Sequence, residues 1–119
     1  MARMIAAAVA VLVVYAGISA SAQEQQAPSG NAEGGKTLFK ADGCWECHGT
    51  VGQGGGFSGP RIGPMELPYE SFLMQLRTPR ENMPPYEAAV LSNGDATNIY
   101  AFLKAIPKPP DPSSIAILH

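Results

Sequence analysis

Residues 49–64 carry seven glycines and two prolines, and no other feature limits so strongly what this chain can build. Glycine brings no side chain to a core and loses the most backbone freedom on folding, while proline removes a hydrogen-bond donor. The segment therefore reads as a long loop, and a loop of that length inside a compact domain needs something to wrap. The apolar residues outside it fall into short helical stripes. Asn31 is placed to cap a first helix, Glu33 complements its first-turn dipole, Gly35, Leu38 and Phe39 share one face, and Gly43 stops it. Tyr69, Phe72, Leu73 and Leu76 predict a second helix over 68–77, with Pro68 in its first turn and Pro79 beyond its end. Ser92 and Asp95 resemble the two ends of a capping box, with Asp in place of Glu. They precede a third stripe of Ile99, Phe102, Leu103 and Ile106, which Pro107 closes.

Past the N-terminal segment there is no alternating run of β-branched residues and no internal repeat, so the expected fold class is all-α, with three to four short helices and long Gly/Pro-rich loops. Short helices in a chain with 13 Gly and 11 Pro cannot bury enough apolar area to offset chain entropy. A further apolar body has to complete the core.

Hydrophobic residues make up 45% of the 119 residues, but the first 22 inflate that fraction. Arg3 precedes an uncharged apolar run over 5–18 and then Ala20, Ser21 and Ala22, the pattern of a secretory signal cleaved after Ala22. The run is shorter than the roughly 20 residues that span a bilayer. The uncharged stretch over 4–22 would nevertheless serve as a membrane anchor if retained. Either way the folded part is expected to be exported, which points to the periplasm. The expected organisation is a signal peptide over 1–22, a flexible leader over 23–32, a folded domain over 33–107, and a Pro-rich tail over 108–119 lying extended on the surface or on a partner. A net charge of −2 with 15% charged residues offers no basic stripe for nucleic acid and is not the composition of a disordered chain.

The two cysteines stand in Cys44-Trp45-Glu46-Cys47-His48, the C-x-x-C-H spacing of covalent haem attachment. Two thiols at this spacing lie about one helical turn apart and can reach the two vinyl groups on one edge of a porphyrin. His48, next in the chain, is carried under the ring as an iron ligand, and Gly49 lets the backbone turn away. A haem c would be the missing core. A thioredoxin-like pair or a structural disulfide would use the same cysteines in an exported protein. The adjacent His48 and the lack of a βαβ pattern weigh against both. A phosphate cradle in the Gly-rich loop is discounted, since no Lys-Ser or Lys-Thr follows and no strand precedes it.

The motif does not name a sixth iron ligand. The candidates in the exported part are Met65, Met74, Met83 and His119. Met74 reads as core filler beside Phe72 and Leu73, Met65 follows too soon after His48 and directly behind Pro64, and His119 is the terminal residue. Met83, in Asn82-Met83-Pro84-Pro85-Tyr86, sits where prolines restrict the backbone, and it is the expected ligand.

The succession of C-W-E-C-H, G-P-R-I, N-M-P-P-Y and an Ile-Tyr-Ala-Phe-Leu-Lys helix resembles the class I monohaem cytochromes c over about residues 33–107. That resemblance implies a small fold around one covalent haem. It implies that the first and last helices cross, with Gly35 and Phe39 against Ile99 and Phe102, and that the Pro60 carbonyl holds the Nδ1 proton of His48. It also implies that Arg61 and Tyr86 are candidates to hydrogen-bond the haem propionates. The expected function is one-electron transfer between a donor and an acceptor redox protein, either as a diffusible carrier or as the cytochrome subunit of a dehydrogenase, with no catalytic residues. A haem enzyme or gas sensor with a labile Met83, and a thiol oxidoreductase using Cys44 and Cys47, are the alternatives.

Overall fold

The computed structural model describes residues 27–55 and 58–118; the expected signal segment, the start of the leader and His119 lie outside them. Four helices occur in the order α1 (Ala32–Ala41), α2 (Cys44–His48), α3 (Tyr69–Arg77) and α4 (Asn93–Ala105), and no strand is found among the described residues. The architecture is all-α, as the sequence pattern predicts, and none of the described helices is long and apolar enough to cross a membrane.

Each helix end has a local cause. The Asn31 side chain accepts hydrogen bonds from the backbone N–H groups of Glu33 and Gly34, so it caps α1 as a free N-terminus requires. Ser92 Oγ accepts from Asp95 N–H at 3.1 Å and donates to Asp95 Oδ2 at 2.7 Å. The Asp95 carboxylate thus meets the Ser92 hydroxyl rather than the Ser92 backbone N–H, so Ser92 caps the helix without the reciprocal bond of a full capping box. Pro68 stands at the N-cap of α3, and Thr78, held out of the helical region by Pro79, ends it.

The core is made where α1 crosses α4. A Cβ placed on Gly35 would overlap the carbonyl of Asn98 and the amide of Ile99, which are backbone atoms with nowhere to go. The absence of that atom lets the two helices touch. One turn further along, Phe39 and Phe102 meet with ring centroids 5.5 Å apart. The end of the leader is drawn into the same contact, in contrast to the flexible segment expected there. Ala27 packs on the core, and Asn31 N–H donates to Asn98 Oδ1 at 2.8 Å. The reason is that α4 exposes polar groups that the leader backbone can satisfy.

Helix α3 joins this pair through aromatic residues. Tyr69 and Tyr100 pack edge to face with centroids 5.4 Å apart. The Tyr69 hydroxyl lies 2.8 Å from Thr97 Oγ1 and 3.3 Å from Asn93 O, which also accepts from Thr97 Oγ1 at 2.8 Å, so the two hydroxyls share one carbonyl acceptor. Tyr69→Phe should cost about 1 kcal/mol, since Thr97 keeps one of its two partners. A urea titration should show a lower midpoint with an unchanged slope.

Two expectations about the periphery are corrected. Met74 is 58% exposed rather than packed in the core, because α3 buries Phe72 and Leu76 and turns Met74 to a different face. The tail is not extended throughout: Pro112–Ser114 and Ala116–Leu118 form two 3-10 turns. Asp111 starts the first by accepting from Ser113 N–H, a local bond that outcompetes the extended form; the Ser113 hydroxyl donates to the same carboxylate and, with that N–H, lowers the Asp111 pKa.

Candidate functional site

Helix α2 is a single turn, set off from α1 by Gly43 in the left-handed conformation at φ 76°. Both of its cysteines are free thiols. Cys44 is half-buried and packs on the core, while Cys47 is exposed. Burial pushes the Cys44 thiol up to about 11, and the Asp42 charge beside it adds to the shift. A redox-active C-x-x-C pair requires the opposite displacement, toward a thiolate at neutral pH.

His48 Nδ1 lies 2.9 Å from the carbonyl oxygen of Pro60. A carbonyl can only accept, so Nδ1 carries the proton and Nε2 keeps its lone pair for a metal. The loop that supplies Pro60 is the glycine-rich one, and what it wraps is the back of α2. Gly54 N–H donates to His48 O at 2.7 Å, and Ser58 Oγ donates to Cys47 O at 3.4 Å. A Cβ on Gly59 would stand 2.8 Å from Cys47 O and 3.1 Å from His48 Nδ1, so a larger residue there would force the loop away from the Cys47 carbonyl and crowd the imidazole.

The front of α2 faces a cavity of about 1110 Å³. This exceeds the volume of an ordinary small-molecule site. Cys44, Cys47, His48, Pro60, Arg61, Met83 and Tyr86 all line it, so the residues expected to form the site are brought to one place. Phe39, Phe72, Leu76, Ile99 and Leu103 form its apolar wall. Asp42 Oδ2, also in that wall, is buried without a hydrogen-bond partner, and burial raises the Asp42 pKa, with the Asp95 charge adding to it. A large apolar slot with two thiols, one imidazole lone pair and thioether sulfur on its walls fits a haem.

All three described methionines line this cavity, but they are held differently. Met65 is 5% exposed, with its N–H bonded to Leu103 O at 3.0 Å. Met74 is exposed, on the face of α3 that Ser71, Gln75 and Thr78 also turn to the cavity. Met83 is half-buried in the loop after α3, and its sulfur accepts a hydrogen bond from Gln75 Nε2 at 3.7 Å.

Arg61 is exposed at the edge of the cavity and also lines a smaller cleft of about 540 Å³ with Lys108 and Pro109. The Tyr86 hydroxyl donates to Asp42 O at 2.8 Å, which commits its only proton within the protein. Burial pushes that hydroxyl up to about 12, with Cys44 the next contributor. Of the two expected donors Arg61 therefore remains available to an anionic ligand edge, and Arg80, which sequence reasoning did not single out, lines the same cavity. Sequence reasoning missed Gln75, Arg77 and Asp42. Gln75 and Arg77 read as ordinary polar residues of an amphipathic helix, and Asp42 as the residue before the stop at Gly43.

A family model described as Cytochrome C oxidase, cbb3-type, subunit III matches residues 30–103, a span that contains α1, α2, α3 and most of α4. No curated protein and no solved structure matches the chain.

Proposed function

Starting from the fact that the chain belongs to the family of Cytochrome C oxidase, cbb3-type, subunit III, we propose that it is an exported, periplasmic one-electron carrier with a single covalent haem c held between His48 and Met83. Membership makes it a cytochrome c-type protein for haem-based electron transfer. The observation that carries the finer reading is the His48 Nδ1–H bond to Pro60 O in a wall shared with Cys44, Cys47 and Met83.

When bound there, a haem supplies a one-electron couple. The chain does the rest. Cys44 and Cys47 are the two attachment points, one helical turn apart. Pro60 fixes the His48 tautomer, which leaves Nε2 as the proximal donor and makes it more basic. Met83 gives a sulfur donor, which favours the reduced state. Phe39, Phe72, Leu76, Ile99 and Leu103 keep water from the slot. His48 and Met83 would give the iron two ligands from the chain and leave no position for a substrate, and His48 is the sole histidine among the described residues. These points favour a carrier over a haem enzyme or sensor. The family description favours an oxidase over a dehydrogenase as the complex it serves, through the small, weak interfaces of electron-transfer encounters.

Expression with a haem-attachment system tests the cofactor assignment. The pigment should stay with the polypeptide through acid–acetone extraction and give a pyridine haemochrome of the two-thioether type. Cys44→Ala and Cys47→Ala should each shift that spectrum to the single-thioether form. A chain that releases its haem on extraction, or that carries a Cys44–Cys47 disulfide and no haem, would overturn the assignment.

A further inference from the structure

The loop that carries Met83 leaves α3 and comes back to the same turn of it. Thr78 N–H donates to Met74 O at 2.8 Å where the chain departs, and Tyr86 N–H donates to Leu76 O at 2.8 Å where it returns. Of residues 79–85 none is buried, and only Met83 packs on the core. The loop is thus held at its ends and at one sulfur. Arg77, which directly follows Leu76 and precedes Thr78, closes the gap. Its Nη1 donates to Tyr86 O at 2.6 Å and its Nη2 donates to Asn93 Oδ1 at 2.7 Å, at the first residue of α4. One planar fork therefore ties the end of α3, the end of the Met83 loop and the start of α4 together, which a single ammonium could not do in the same geometry.

We propose that Arg77 is the positioning residue for the sixth iron ligand: its guanidinium clasps the Met83 loop shut, and opening the clasp turns a fixed methionine into a displaceable one. The proposal rests on Met83 being that ligand. Loop closed with sulfur in, and loop open with sulfur out, are two states of one element. Anything that favours one opposes the other by the same factor.

Imidazole, which competes for the sixth position of the oxidised holoprotein, is the probe. In Arg77→Leu its apparent affinity should rise on the order of tenfold, because the fraction of molecules with the position free rises by that factor. The absorption band near the red end that reports iron–sulfur ligation should weaken in parallel. Arg77→Lys should restore part of the wild-type value, since it can keep one of the two bonds. Tyr69→Phe, which loosens the fold elsewhere, should leave imidazole affinity within twofold of wild type. If Arg77→Leu only lowers thermal stability and leaves imidazole affinity unchanged, the clasp is overturned.

A measurement on the wild type stands even if Arg77→Leu fails to fold. Saturating imidazole should speed hydrogen exchange of the Tyr86 amide on the order of tenfold by the same reciprocity, while the Ala96 amide, bonded to Ser92 O in α4, stays protected. Equal exchange at Tyr86 with and without imidazole overturns the proposal. Failure of the ligand assignment itself looks different: imidazole would then bind wild type and Met83→Ala equally.

Discussion

Met83→Ala should keep its haem and lose its resistance to carbon monoxide. Cys44, Cys47 and His48 are untouched, so attachment and the proximal ligand persist. The sixth position passes to water and to added ligands. A sulfur donor stabilises the reduced iron, and an oxygen donor does so less. The reduction potential should therefore fall by an appreciable part of the roughly 0.8 V range over which axial ligands set haem potentials. Electron exchange should slow as well, because an iron that changes a ligand with oxidation state reorganises more than one held between two fixed donors. The reduced wild type should bind carbon monoxide poorly and the variant readily. Met65 provides the control. It is buried in the same cavity wall, and Met65→Leu conserves volume at a cost below about 1.5 kcal/mol. Its spectrum and potential should match wild type. The reverse pattern, with Met65→Leu losing the iron–sulfur band and Met83→Ala keeping it, would reassign the ligand.

Gly35→Val is the second large effect. The first side-chain atom would fall on the Asn98 carbonyl, and neither that group nor Ile99 N can yield without moving α4. Separating the helices pulls Phe39 from Phe102 and opens the apolar wall of the haem cavity. Overpacking of this kind costs about 3 kcal/mol, which for a domain this small lowers the melting temperature by on the order of 10–20 °C. Gly34→Ala separates this effect from helix propensity. The nearest atoms to its new Cβ are the Asn31 side chain at 3.3 Å, which can shift, so the variant should stay within about 1 kcal/mol of wild type. Calorimetry of the two holoproteins checks the pair. Equal melting temperatures would mean that the helices do not depend on backbone contact at Gly35.

The parts of this protein legible in the sequence are those whose physics is local. Asn31 and Ser92 cap helices because their side chains reach amides two or three residues on. The stripes through Phe39, Phe72 and Phe102 show in the spacing because a helix repeats every 3.6 residues. Cys44, Cys47 and His48 declare a haem because their chemistry is fixed within five consecutive residues.

Tertiary structure decided what depends on the path of the chain between such segments. Three methionines reach the cavity wall, and no spacing rule tells the buried Met65 from the exposed Met74 or from Met83 with its Gln75 partner. The glycine-rich loop announced that it must wrap something, but only the fold shows that the wrapped object is the backbone of Cys47 and His48, with Pro60 O on the imidazole. Arg77 carried no signal at all. Its acceptors are nine and sixteen residues away, across a loop that comes back to α3. A pairing of that kind is set by where two loop ends meet in space, which pattern along the chain does not encode.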